Sequence, residues 1–423
     1  VEGGVTKPLA HVRIADFTQF LSGPFCTMVL GDLGAEIIKI EPPTGDPSRI
    51  VPPHFVAGDS GYYLAVNRNK RSIGIDLRKM EGVALARELI LVSDIVIENF
   101  RPGVMARMGL DPKTLMAERP RLVWCSLSGY GQDGPYRNEP AYDMIVQARS
   151  GGMSLTGMPD GPALRSGLPI GDLAAGLYSA ISVLAALERR NRHGEGAVID
   201  IGMLDCQIAL LTYQAAFYLI SHDVPGRQGR GHDSVPTYNC FRTRDGGEVA
   251  VTAITERMWQ GLCQVLGLEA LLSDPRFATN RERNANRAEL LPLLEAAFAR
   301  RDVVELMERL IEAEVPAARI NSVAEALADS QVRTREMVLN LTDVAGDRRL
   351  SVAGNPIKIA GLAETHNYPE SLGESSRAIL SDILGIEPER IAALIAAGTV
   401  VGPGVGEHRQ AQANRQSRPP RDP

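Results

Sequence analysis

The sequence predicts an α/β fold: a Rossmann-like large domain with a parallel sheet, formed by N- and C-terminal parts of the chain, and a smaller α+β domain between them. Three observations predict it. Short apolar strands alternate with helical segments from "HVRIADF" to "GAVIDIGML", the βαβ rhythm of a sheet crossed by helices. The strands are apolar almost end to end, as strands covered on both faces are. After Ile220 the pattern breaks into a Gly- and Arg-rich loop, a strand and charged amphipathic helices, and strand-like segments return beyond residue 325.

Taken in order, "HVRIADF", "EIIKIEP", "RSIGIDL", "DIVIENF", "RLVWCSLS" and "GAVIDIGML" read as strands, with helices at "GPFCTMVLGDLGA" and "EGVALARELILVS". Before the last strand comes "GDLAAGLYSAISVLAALERR", apolar on nearly every side and therefore expected to be buried all round. Arg189, Arg190 and Arg192 fill its last turn and Gly194 ends it, as helix C-termini prefer. These elements place the first part of the large domain at 1–224. The small domain, 225–325, holds the strand "GEVAVTAI", a helix at "MWQGLCQVLG" and two amphipathic helices between Arg281 and Glu314. Residues 326–402 return to the large domain and end in a helix pair. The polar, Pro-bearing tail 403–423 is expected to be disordered.

The chain has 423 residues, 44% of them hydrophobic, enough for a sizeable core. Its 45 Lys and Arg against 51 Asp and Glu give a net charge of −6, which argues against a nucleic-acid or anionic-membrane partner. Five scattered cysteines without C-x-x-C spacing indicate neither a disulfide framework nor a zinc site, so a reducing cytoplasm is expected. The seven histidines fall singly, and no metal is expected. "VEGGVTKPLAHVRIADF" carries no signal-peptide core, and the longest apolar run, 173–187, reads as too short and too rich in Ala, Ser and Gly to cross a bilayer. "GYGQDG" fits G-x-G-x-x-G through Gly129, Gly131 and Gly134. Pro135, Asn138 and Pro140 follow where a dinucleotide site needs a helix, which speaks against NAD or FAD.

One acid stands at the threshold of the apolar helix. On spacing alone Asp172 reads most simply as an N-cap, accepting the first-turn N–H groups; a catalytic carboxylate is the other reading.

Several ordered segments carry more information together than any does alone. "DFTQFLSGPFCTMVLGDLGAEIIKIEPPTGDPSR", "NRNKRSIGIDLR", "VIENFRPGVMARMGLD", "LSGYGQDGPY", "AYDMIVQARSGGMSLTG", "LPIGDLAAGLYSAISVLAALERR" and "DPRFATNRERNANRAEL" follow one another over residues 8–400. Together they resemble the family III CoA-transferases, the group of formyl-CoA transferase and carnitine CoA-transferase that also includes α-methylacyl-CoA racemase. The resemblance implies that the acid of the G-D-x-x-x-G segment, Asp172 here, is a nucleophile. It attacks an acyl-CoA thioester to form an aspartyl anhydride and then an aspartyl-CoA thioester, with first-turn amides stabilising the oxyanions and the helix dipole keeping the carboxylate ionised.

The resemblance further implies coenzyme A as co-substrate, held by Phe20 and Leu21 beside the pantetheine or base, Ile75 under adenine, and Arg78 and Arg107 at the phosphates, with Arg71 and Arg101 in support. Formyl-CoA transferase carries an arginine after its "IKIE", where Pro42 follows Glu41 here. The racemase is the alternative activity. Its histidine base is replaced by Tyr142, and a tyrosine with an ordinary pKa near 10 is a poor base for an α-proton, so Tyr142 is expected in the substrate pocket. The loop "GRQGRGH", with Gly229, Arg230, Gly231 and His232, resembles a lid seen in family members and offers cations to a distal carboxylate. An interlocked homodimer is also implied.

Overall fold

The computed structural model describes residues 6–362 and 364–404; the tail from residue 405 lies outside the described residues. In chain order the elements are β1 (Arg13–Asp16), α1 (Ser22–Asp32), β2 (Glu36–Glu41), β3 (Lys70–Ile75), α2 (Met80–Leu91), β4 (Ile95–Glu98), β5 (Val123–Ser128), α3 (Asp143–Arg149), α4 (Ile170–His193) and β6 (Ala197–Gly202). They continue with β7 (Tyr238–Arg242), β8 (Glu248–Thr252), α5 (Glu256–Leu266), α6 (Arg287–Phe298), α7 (Val303–Glu312), β9 (Ala317–Arg319), β10 (Val338–Thr342), β11 (Arg349–Ala353), α8 (Pro388–Ala396) and β12 (Val400–Val401).

Contacts divide the chain into two units. One holds the chain through Gly152, Ser166–Ala216 and the chain from Arg333 onward. Its sheet runs β12-β3-β2-β1-β4-β5-β6 and is parallel except for β12, which pairs antiparallel with β3. The order reverses between β1 and β4. In such open sheets ligands bind in the crevice at the carboxyl ends of the strands on either side of the reversal.

Strand alternation assigns each face its own core. Ala15, Ile38, Ile73, Val96 and Trp124 face Leu85 and Leu89 of α2 and Ile391 and Leu394 of α8. Their neighbours Ile14, Ile37, Ile97, Val123 and Cys125 face Leu30 of α1 and Val183 and Leu187 of α4. Period-two patterning with both faces apolar is why these strands read as continuous hydrophobic runs.

Helix α4 corrects two expectations. It runs for 24 residues, about 36 Å at 1.5 Å per residue, and is long and apolar enough to cross a membrane by length and composition. Half of that span is buried inside the protein, and its last turn carries Arg190, which pairs with Asp94 at 3.0 Å. Nor is it buried all round: Val183 packs with Leu30 of α1 and the sheet, and Ala175 with Leu127, Val146 and Met203, while Leu177 and Ile181 are 47% and 61% exposed. The sheet has only one flank to offer, so the opposite face of the helix stays open.

The second unit comprises Met153–Arg165 and Phe217–Val332. The antiparallel sheet β9-β8-β7 packs with α5, α6 and α7 around Trp259, Phe277 and the stacked rings of Phe241 and Phe298, 4.3 Å apart. The sequence places this unit at 225–325; the contacts extend it at both ends and add 153–165. The reason is backbone pairing: Gln228 and Gly229 donate to the carbonyls of Leu155 and Gly157 (3.1 and 3.0 Å), and Arg227 to those of Met158 and Pro159. These are sequence-distant contacts that local patterning does not register.

Candidate active site

The crevice at the reversal is lined first by the loop that follows β1. Asp16 Oδ1 accepts the N–H and hydroxyl of Thr18, and Gln19 exchanges two hydrogen bonds of 2.8 Å with Asn99 after β4, closing the reversal point. Phe20 then adopts φ of +62°, a left-handed conformation costing a non-glycine residue about 1–3 kcal/mol. Its N–H donates to Asp46 at 3.2 Å, and its ring meets that of Tyr142 edge-on, with centroids 6.0 Å apart. Leu21 is the residue before α1.

Asp172 is the third residue of α4, which begins at Ile170 after Pro169. It is therefore not the cap. The first turn is held by Asp143 of α3, whose Oδ1 accepts the Gly171 N–H at 2.8 Å and whose Oδ2 accepts from Gln147 at 2.7 Å. One amide of the turn expected to serve an oxyanion is thus already engaged. Both glycines of "GDLAAG" follow from close approach: a Cβ on Gly171 would lie 3.0 Å from Asp143 Oδ1, and one on Gly176 would lie 2.7 Å from the Ser22 carbonyl oxygen of α1.

The carboxyl of Asp172 is pushed up to about 7, first by burial, then by the charge of Asp143, with a hydrogen bond from Ser22 pulling the other way. The helix dipole was expected to keep it fully ionised; desolvation and a like charge outweigh that small term. Tyr62 belongs to the same neighbourhood. Its phenol is pushed up to about 12 by burial and by Asp172, Asp46 and Asp143. Asp143, Ser22 and Tyr62 went unread in the sequence, although Asp143 directly follows Tyr142.

The arginines separate by strand end. Arg101 and Arg107 follow β4, are exposed, and have no ion-pair partner among the described residues. Arg78 follows β3 on the same rim, exposed, and holds the Asp76 carboxyl below its ordinary range through a bidentate contact. Arg71 stands near the amino-terminal start of β3, paired with Glu36 at 2.8 Å, and the structure does not bring it to the crevice. Ile75 is fully buried among Ile73, Leu85, Ile391 and Val400. Its side chain is directed into the core rather than onto an open surface.

The pocket residues of the Gly-rich loop lie in the second unit. Gly229 has φ of +63°, Arg230 pairs with Glu248 at 2.7 Å, a Cβ on Gly231 would meet Asn239 at 2.9 Å, and His232 stacks on Tyr238. Gly229, Arg230 and Gly231, with Arg227, Cys240 and Arg287, line a cavity of about 400 Å³, which His232 does not line. No group of three or more His, Cys, Asp or Glu among the described residues is arranged to hold a metal ion. "GYGQDG" is followed by no helix until Asp143, as its prolines foretell.

A doubly wound sheet with a half-buried carboxylate near its reversal crevice, and on the same rim two arginines without an ion-pair partner among the described residues, is the framework of an α/β enzyme. The chain belongs to CoA-transferase family III, whose model matches residues 9–374, and it is a CoA-transferase, an enzyme that takes CoA thioesters as co-substrates. It is 36% identical over 396 residues to succinyl-CoA:glutarate CoA-transferase of Mus musculus, covering 93% of this chain and 90% of that one. It is 37% identical over 388 residues to succinate–glutarate CoA-transferase of Agrobacterium fabrum, covering 90% and 96%. Among solved structures, a CaiB/BaiF family protein from Brucella suis superposes with a TM-score of 0.80 at 36% identity, covering 89% of this chain and all of that one.

Proposed function

We propose that this CoA-transferase moves CoA from a dicarboxylic acyl-CoA such as succinyl-CoA to a free dicarboxylate, through covalent intermediates on Asp172. One observation carries the covalent reading: Asp172 stands in the first turn of α4 beside the loop of Phe20, Leu21 and Ser22, with its basicity raised to about 7. An ionised carboxylate of that basicity is a better nucleophile than an ordinary aspartate.

The Asp172 carboxylate adds to the thioester carbonyl, the C–S bond breaks, and CoA leaves as thiolate from the aspartyl anhydride. The thiolate attacks the aspartyl carbonyl; a C–S bond forms, the anhydride C–O bond breaks, and the donor acid departs. The acceptor carboxylate attacks the aspartyl-CoA thioester and expels the thiolate. Attack of the thiolate on the acceptor's carbonyl then yields the new acyl-CoA and restores Asp172. No proton is gained or lost, and no ATP is needed because the thioester energy is conserved at each exchange.

Phe20, Leu21, Arg78, Arg101 and Arg107, on the carboxyl rim of the sheet, suit the CoA end of the substrate, arginine forks matching phosphate oxygens. The dicarboxylate class follows the activities for which the mouse and Agrobacterium relatives are named, succinyl-CoA:glutarate and succinate–glutarate CoA-transferase. The cations of the 226–232 loop suit a distal carboxylate. Exposed Leu177, Ile181 and Val198 support a homodimer that covers them, interlocked as the family resemblance implies. Five free cysteines support a reducing cytoplasm.

The test is to incubate the protein with succinyl-CoA, quench with hydroxylamine and locate the hydroxamate by mass. Modification at Asp172, absent in Asp172→Ala together with turnover, is expected; turnover by Asp172→Ala ends the reading. Rapid deuterium wash-in at the α-carbon of a 2-methylacyl-CoA, with no acceptor acid, would favour the racemase instead.

A further inference from the structure

Beneath the loop 17–24 two lysines are sealed from solvent. Lys39 of β2 is fully buried, and its Nζ donates to the Thr18 carbonyl oxygen and to Asp46 Oδ2, each at 2.9 Å. The other oxygen of Asp46 accepts the Phe20 N–H at 3.2 Å and the N–H and hydroxyl of Ser48 at 2.8 and 2.7 Å. Lys70 of β3 donates to the Pro24 carbonyl oxygen at 2.9 Å and stands 3.3 Å from Asp16. Glu41 accepts the Asp46 N–H at 2.9 Å, and the Tyr63 ring lies 5.8 Å from Lys39.

A buried ion pair is seldom the most stable way to fill a core, because desolvation consumes most of its attraction. Here the contacts share a target. They fix the backbone on both sides of Phe20, whose left-handed conformation persists only where its surroundings over-determine it. The same loop delivers the Phe20 ring to Tyr142 and the Ser22 hydroxyl to Asp172.

We propose that Lys39, acting through Asp46 and the Thr18 carbonyl, is a positioning residue of the transferase site that holds the 17–24 loop so that Phe20 and Ser22 keep their places beside Asp172. The proposal rests on Asp172 being the reacting group. Without the Lys39 contacts the loop relaxes toward unstrained φ, and the Ser22 hydrogen bond is lost with no direct contact between Lys39 and substrate.

Wild type, Lys39→Met, Ser22→Ala and the double variant are compared by kcat, KM for succinyl-CoA and the pH dependence of kcat, with folding checked by circular dichroism. Charged or titratable groups facing Asp172 are Asp143 and Tyr62; those facing Lys39 are Asp46, Asp16, Glu41, Lys70 and Tyr63. Lys39→Met is expected to lower kcat by about tenfold or more while KM changes by less than about threefold. Its acid limb moves to higher pH, as in Ser22→Ala, and the double variant shifts no further than either single one, because both act through one hydrogen bond. Additive shifts, or a folded Lys39→Met with wild-type kcat and pH profile, overturn the proposal.

Should Lys39→Met unfold, Lys39→Met/Asp46→Leu replaces the whole pair by apolar groups and recovers stability. A wild-type kcat and pH profile in that protein likewise refutes positioning, while a loss of kcat despite restored stability supports it. Turnover by Asp172→Ala, run alongside, would identify failure of the underlying mechanism separately.

Discussion

The carboxylate of Asp143 accepts the backbone N–H of Gly171 at 2.8 Å, tying one acid to the residue immediately before another, Asp172. A helix terminus ordinarily takes its cap from its own chain neighbourhood. Here the cap comes from a helix 28 residues earlier, and its charge opposes ionisation of the group it helps to place.

Asp143→Asn is therefore expected to keep the cap, since the amide oxygen still accepts the Gly171 N–H, while removing the like charge. Ionisation of Asp172, pushed up to about 7 in wild type, becomes easier, and the acid limb of the kcat–pH profile is expected at lower pH than in wild type. Asp143→Ala loses the acceptor as well, at about 1 kcal/mol, measurable by denaturant unfolding. An acid limb unmoved in Asp143→Asn would dissociate the two acids.

Stability should respond to Asp172 with a definite sign. Its folded value of about 7 lies above the ordinary 3.8, so the folded protein binds this proton more tightly than the unfolded chain. The resulting stabilisation is full below pH 3.8 and is lost as pH rises through about 7. Asp172→Asn should consequently melt higher than wild type at pH 8, with the gap closing toward pH 4. A constant gap across that range, read by thermal unfolding, would mean that ionisation of Asp172 is not its source.

Arg107→Ala and Arg101→Ala are expected to raise KM for succinyl-CoA more than they lower kcat, because phosphate contacts are made equally in ground and transition states. Arg71→Ala serves as contrast. Its pair with Glu36 is about one-third exposed on each side, worth at most about 1 kcal/mol, and KM should not change. Steady-state kinetics of the three variants decide the assignment by strand end.

Gly176→Ala should destabilise the protein by about 1–3 kcal/mol, because the new methyl would lie 2.7 Å from the Ser22 carbonyl oxygen. The strain falls on the contact that sets α4 against α1, so activity should drop with stability. Wild-type melting would show that the two helices separate easily.

Light scattering should give twice the 45.7 kDa chain mass, undiminished on dilution, if a second copy covers the open face of α4. Ile181→Glu puts a charge where a 61% exposed isoleucine now stands, and it should disrupt the dimer while leaving a lone chain's packing nearly untouched. A monomeric, active wild type would remove the homodimer.

The sequence by itself determined the alternation of strands and helices, because period-two and helical patterning are local and both faces of this sheet are apolar. It also singled out Asp172 and the arginines after β4, because their neighbouring glycines and spacing resemble those of a known family. Only the tertiary structure decided what surrounds them. Asp143 caps α4 from another helix, Lys39 and Asp46 grip the Phe20 loop from neighbouring segments, Ile75 turns into the core, and Arg71 meets Glu36 at the far end of its strand. Each of these depends on which segments the sheet order brings together, and on how burial weighs a charge against its neighbours. Neither quantity is written in residue spacing: strand order is set by long-range packing, and desolvation by everything that packs around a group.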